Sequence, residues 1–305
     1  MKKLSYLTTI FMFFATFGGG VVTRTESGLG CGNEWPLCHG KFVPAHTLAS
    51  IIEYTHRLVS STAGILSIIT LILFVIYYRH RKDLILFAVL TVVFVSIQGI
   101  MGALAVVFTQ SPPVMALHLG FAFISLACSL MTSLGARQEE KLGGLALFNQ
   151  MPRTSNRLRN YVWITTVYSY VVVYTGAFVS HTNSAAACSG FPLCNGVIFP
   201  GLTGAVGIAF LHRLAGLVLV IFILILCWLL YRFYWNIREL RILGYSSVAL
   251  ILFQVASGAS LMFTMDNPEV YMFVVLAHVT SIAVLFGLLS YMSYLVWRLS
   301  KPVTS

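Results

Sequence analysis

Charge is what this chain has least of. Only 9% of its 305 residues are charged, and only nine are acidic. An average soluble protein carries roughly 25% charged residues. A soluble enzyme of this length would lack the polar side chains to cover its surface. A disordered chain is excluded by the 58% of hydrophobic residues. Six cysteines in a chain this long are too few for a small disulfide scaffold. What remains is an all-α polytopic membrane protein, with a mean hydropathy of +0.87.

A transmembrane helix needs about 20 predominantly apolar residues, and eight segments qualify, at roughly 4–22, 51–78, 84–108, 114–134, 161–180, 207–231, 242–263 and 270–297. With the N-terminus inside, 15 of the 19 lysines and arginines fall on the inner side, so the positive-inside bias predicts that both termini are cytoplasmic. The outer exceptions are Arg24, Lys41, Arg57 and Arg213. The net charge of +10 does not indicate a nucleic-acid partner, because the basic residues sit between spans rather than on one face or arm. The expected surroundings are membrane lipid.

Shifting the sequence by 156 residues brings its halves into register. Trp35, Pro36, Leu37 and Cys38 fall on Phe191, Pro192, Leu193 and Cys194, and His56-Arg57-Leu58 fall on His212-Arg213-Leu214. Gly40, Pro44, Gln98, Gly102 and Pro112 fall on Gly196, Pro200, Gln254, Gly258 and Pro268. Gly20 falls on Gly176 at the end of the fifth span. That counterpart argues that the first span is retained, although Lys2-Lys3 and a short apolar run also fit a signal peptide. Four spans per unit make a parallel repeat. The expected architecture is two tandem four-helix bundles, residues 1–134 and 161–305, joined by a basic cytoplasmic linker, 135–160.

Ionisable groups at membrane depth are costly and mark function by default. Four histidines qualify: His56, His118, His212 and His278. All lie near the outer ends of even-numbered spans, with His56 about five residues, or roughly 7–8 Å, into its helix. His56 and His212 pair in the repeat directly. His118 and His278 are 160 residues apart, and the extra four residues are close to one helical turn, which keeps the same face. Each bundle thus offers two histidines at similar depth, the arrangement that axial ligation of a heme requires. His39, His46, His80 and His181 lie in loops or at a span end and read as solvated. Arg57 and Arg213 follow histidines at the outer rim, where a guanidinium fork suits a carboxylate such as a heme propionate.

Glu53 precedes His56 by three residues and shares its helix face, whereas the repeat places Ala209 at that position. One half therefore has a membrane-edge carboxylate beside its histidines and the other does not. A di-iron site would need further carboxylates in the spans. Among the cysteines, Cys31 with Cys38 and Cys188 with Cys194 each span a short outer loop, where oxidising conditions permit a disulfide. Neither pair has the Cys-x-x-Cys-His spacing of covalent heme attachment. Cys128 and Cys227 lie in spans as small hydrophobes.

The run TESGLGCGNEWPLCHG at residues 25–40, followed by EYTHR at 53–57, resembles the heme A synthase family in its Gram-positive bacterial form. So do GALAVV at 102–107, ALH at 116–118, YTGA at 174–177 and the Ala277-His278 pair. The resemblance covers nearly the whole chain. It implies an oxidoreductase that hydroxylates the C8 methyl of heme O twice, the diol then losing water to leave the formyl group of heme A. It further implies a resident heme b between His212 and His278, and substrate heme O between His56 and His118 with Glu53 beside it. The family's two cysteine pairs match Cys31–Cys38 and Cys188–Cys194. Implied partners are a heme O synthase upstream and an electron acceptor of unspecified identity. Two other classes fit the residues less well. A bis-histidine electron-transfer cytochrome leaves Glu53 unexplained. A secondary transporter would carry midplane charge, and here the polar residues gather at the outer rim.

Overall fold

The computed structural model describes residues 1–42, 47–108, 110–141 and 144–301. His46 and Pro44 lie outside them. The long helices are α1 (Lys2–Arg24), α2 (Leu48–Tyr77), α3 (Lys82–Val107), α4 (Pro112–Lys141), α6 (Asn156–His181), α7 (Gly204–Phe233), α8 (Arg238–Thr264) and α9 (Pro268–Leu299), with a short α5 (Ala146–Gln150) between the fourth and fifth. The eight long helices are each long and apolar enough to cross a membrane. Inside a bilayer every backbone amide must be satisfied within the protein, and a continuous helix does this by itself. Among the described residues no strand forms, only two isolated bridges in the loops.

The chain divides into two compact units, Met1–Gly144 and Leu145–Ser305. In the first, α1 packs on α2 and α4, and α3 packs on the same two helices, closing a four-helix ring. In the second, α6, α7, α8 and α9 close a ring in the same order. The helices turn one stripe inward. On α2 the buried positions Ala63, Ser67, Thr70 and Phe74 recur every three or four residues, while Ile65, Ile72 and Ile76 face outward. Helix starts are fixed by side chains. Thr47 Oγ1 accepts from Ser50 N at 3.2 Å, and Asn267 Oδ1 accepts from Val270 N at 3.2 Å with Pro268 in the first turn.

Three expectations change. The stretch 135–160 is not one linker: α4 runs on to Lys141, α5 intervenes and α6 begins at Asn156. The residues Arg137, Gln138, Glu139, Glu140 and Lys141 are good helix formers, so the helix outlasts the apolar span. The second change is depth. Because α2 begins at Leu48, His56 is eight residues in, about 12 Å along the axis. His212 stands at the same distance from the start of α7. The third is register. The first bridge spans seven residues and the second six, so Cys31 aligns with Cys188 at an offset of 157. That offset places Gly19, rather than Gly20, opposite Gly176.

At one end of the first unit, Glu140 accepts from the Lys2 amide at 3.1 Å and from the Tyr78 hydroxyl at 3.0 Å. Burial, then the bond to Glu140, pushes the Tyr78 phenol up to about 12, so it remains a donor at neutral pH. Beside it Arg81, only 1% exposed, is held by Asp83 and Glu139. His80 is exposed, 2.9 Å from Glu139.

Candidate functional site

The opposite end of each unit carries a disulfide loop over a histidine pair. Cys31 is bonded to Cys38, and Cys188 to Cys194. Both loops contain a cis proline, Pro36 or Pro192. Each then reverses through a two-residue turn, His39-Gly40 or Asn195-Gly196, with positive φ at both positions. That is the geometry of a tight hairpin turn, which a glycine at the second position permits. Exposed His39 returns to the loop through Nε2, 3.2 Å from Gly30 O. His181, the last residue of α6, is partly buried rather than solvated.

Arginine anchors each loop to the helix below it. Arg57 Nη1 donates to Glu34 O at 2.9 Å and Leu37 O at 3.0 Å, while Nη2 pairs with Glu53. Arg213 Nη1 donates to Gly190 O at 2.8 Å and Leu193 O at 3.1 Å, and Nη2 to Cys188 O at 2.5 Å. Both guanidinium forks are therefore engaged mainly with loop carbonyls.

The two units differ directly above the second helix. In the first, Glu53 is 3% exposed. Its Oε2 accepts the Cys31 amide at 2.7 Å, and Oε1 pairs with Arg57 one turn along α2. Ser50 Oγ adds a bond to Gly30 O at 2.5 Å. In the second unit Ala209 holds the corresponding place, 4% exposed, and packs on Cys188 and Cys194. A charged, hydrogen-bonded contact in one half is an apolar one in the other.

Each unit carries two of the histidines, His56 on α2 and His118 on α4, and His212 on α7 and His278 on α9. All four are partly buried. Each ring lies against a glycine of the preceding helix. A methyl group built on Gly176 would stand 2.8 Å from His212 Cε1, and on Gly258 3.1 Å from His278 Cε1. Gly18 and Gly19 play this part for His56, at 3.1 Å and 3.4 Å, and Gly102 for His118 at 3.7 Å.

In the second unit both imidazoles are oriented by hydroxyls. Thr175 Oγ1 is 3.0 Å from His212 Nδ1, and Ser257 Oγ is 2.9 Å from His278 Nδ1. Gln254 Nε2 lies 3.0 Å from His278 Nε2, and its carbonyl accepts from Ser281. A fixed Nδ1 leaves Nε2 of His212 as the ligating nitrogen, the usual division in metal-binding histidine, whereas at His278 the Gln254 amide would have to give way from Nε2. In the first unit His56 Nδ1 has a longer contact, 3.5 Å to Ser60 Oγ, and Gln98 donates to the backbone carbonyl of His118. Imidazoles seated against glycine, and in the second unit held at Nδ1, would suit the ligation of a heme. The sequence reading missed Thr175, Ser257 and the glycine seats. It noticed Gln254 only as a repeat position; a glutamine retained within an apolar span is itself a signal of polar contact.

The model of the cytochrome oxidase assembly protein family, COX15-CtaA, matches residues 2–51 and 46–290. The chain belongs to this family. Among its COX15-CtaA relatives, the heme A synthase of Alkalihalophilus pseudofirmus is 38% identical over 303 residues, covering 98% of each chain. That of Halalkalibacterium halodurans is 38% identical over 300 residues, covering 98% of this chain and 97% of its own. That of Geobacillus kaustophilus is 38% identical over 302 residues, covering 98% and 92%.

The glycine seats make a sharp prediction. In Gly176→Val the side chain cannot avoid His212 Cε1, so the ring must leave its position. Heme retained by the purified protein should fall at least severalfold, with helicity by circular dichroism unchanged. Full heme content would contradict the seat.

Proposed function

We infer that this chain is a heme A synthase, a multi-pass protein of the bacterial plasma membrane. Full-length similarity to heme A synthases supports this reading, as does the geometry of the two histidine pairs. The disulfide loops lie on the outer side and the Lys2–Glu140 end on the cytoplasmic side, in keeping with the distribution of lysine and arginine.

The observation that carries the division of labour is Glu53 beside His56, against Ala209 beside His212. His212 and His278 hold a resident heme b, which supplies one-electron redox capacity to the protein. Their hydroxyl partners suit a permanent ligand. His56 and His118 receive heme O as substrate, and the longer contact at His56 suits a molecule that must enter and leave. Glu53 acts as a base for protons leaving the oxidised methyl carbon, or stabilises positive charge developing there. Its carboxylate is already oriented from both sides, by the Cys31 amide and by Arg57. Arg57 and Arg213 reach heme propionates with whatever donors the loop leaves. A heme O synthase supplies the substrate, and a separate acceptor receives the electrons.

The test is to load the purified protein with heme O, supply an oxidant and follow the substrate by mass spectrometry. Products with one added oxygen, then the formyl porphyrin, are expected. Unchanged heme O, bound at full occupancy, would sink the reading.

Because Cys31 N holds Glu53, the first disulfide bears on the chemistry and the second does not. Cys31→Ser together with Cys38→Ser should lower conversion about tenfold while heme b content stays the same. Equal losses of heme b and conversion would mean that the loop matters only for folding.

A further inference from the structure

At four core positions the first unit has hydroxyls where the second has apolar side chains. Between α1, α2, α3 and α4 lies a cavity of about 10 Å³, its wall including Thr8, Ser67, Thr70, Thr91, Ser129 and Thr132. That is the room one water molecule needs. Several of these hydroxyls spend their proton within their own helix. Ser67 donates to Gly64 O at 2.7 Å, Thr91 to Phe87 O at 2.8 Å and Thr132 to Cys128 O at 2.9 Å. Oxygen lone pairs are left at the wall, and water supplies the donors they need.

Other hydroxyls contact one another. Thr8 and Thr70 are 2.8 Å apart, Thr9 and Ser129 2.9 Å, and Thr9 and Ser133 2.8 Å; in each pair either oxygen can donate. Reversible polarity is what a proton relay requires, since each hop exchanges donor and acceptor. Towards one end stand Glu139 and Glu140 with Lys2, Tyr78 and His80. Towards the other, Ser60 reaches His56 Nδ1, and Ser60, Ser67 and Thr70 share a face of α2.

The second unit keeps part of this, with Thr166 2.8 Å from Ser293 and Thr165 and Ser247 buried, but not the wall of the cavity. Ser67, Thr70, Ser129 and Thr132 correspond to Ile223, Leu226, Leu289 and Met292, all fully buried. Four apolar side chains stand at the corresponding positions. Serine and threonine let membrane helices pack closely and bond across them, and here they also line a cavity.

We propose that this cavity holds exchangeable water, and that the hydroxyl file around it moves protons between the Lys2–Glu140 end of the first unit and the His56 end. The inference rests on the reading that the first unit is the substrate half. An oxidised C–H bond gives up a proton inside the bilayer, and that proton needs a polar route out.

The test uses the full-length, heme-loaded protein, with Thr8→Val and Thr70→Val together, and Ser129→Ala as a gentler second variant. A high-resolution structure of the wild type should show water in the cavity, lost in the valine variant. Heme content should not change. Conversion of heme O should fall about tenfold, with a larger solvent deuterium isotope effect. Leu226→Val, the control in the second unit, should leave all four readouts alone. A dry cavity in the wild type overturns the water site. Variants with unchanged rate and isotope effect overturn the proton route. A wild type that binds heme O without oxidising it overturns the substrate-half reading and the proton route with it, while the density still decides the water site.

Discussion

Glu53→Gln is expected to lower heme O conversion by about 10²-fold, the scale of a lost general base. Heme b content should be unchanged. The substitution keeps the side-chain volume and one oxygen to accept the Cys31 N–H. What it removes is the negative charge, the ability to take up a proton and the carboxylate partner of Arg57. Alanine would be a poorer test. It would also remove the acceptor for the Cys31 N–H and leave a void in a largely buried site, and losing one member of a buried pair costs about 3–5 kcal/mol. Loss of activity would then be confounded with loss of structure. Full conversion by Glu53→Gln, with heme content intact, would remove Glu53 from the chemistry.

The second large effect is expected at His278. Its ring is fixed by Ser257 at Nδ1, faces Gln254 at Nε2 and rests on Gly258. If His278 is a ligand of the resident heme, as proposed, His278→Ala should abolish stable binding of heme b, read as loss of heme B from extracts of the purified protein. Binding of heme O by the first unit should persist, because His56 and His118 belong to a separate four-helix ring. Ser257→Ala should do less, loosening the ring without deleting the ligand, and should shift the heme reduction potential rather than empty the site. Parallel loss of both hemes in His278→Ala would argue against independent sites.

The main features of this fold were legible because they follow from burial. Eight spans read directly from apolar length. The histidine pairs read from their repeat spacing, and the asymmetry at Glu53 read from the register against Ala209. Less visible were the features that depend on one residue more or less. The extra residue between Cys31 and Cys38 shifts the counterpart of Gly176 from Gly20 to Gly19, which together with Gly18 seats His56. The early start of α2 is set by the Thr47 cap, and Ser50 and Glu53 interrupt the apolar run just after it. Serine and threonine in the core were silent for another reason. A hydroxyl that folds its proton back onto its own helix is nearly neutral in hydropathy, so Ser67 or Thr132 passes for an ordinary span residue until its neighbours across the bundle are known. The arginines were legible in position and not in use, because the loop carbonyls they bind are distant in sequence.

The most direct measurement is the heme inventory of the protein purified after co-expression with a heme O synthase, extracted and resolved by chromatography and mass. Heme A together with heme B is the expected result, one the product of the first unit and the other resident in the second. Heme B alone, with heme O available in the same membranes, would contradict the enzyme reading and leave an electron-transfer cytochrome.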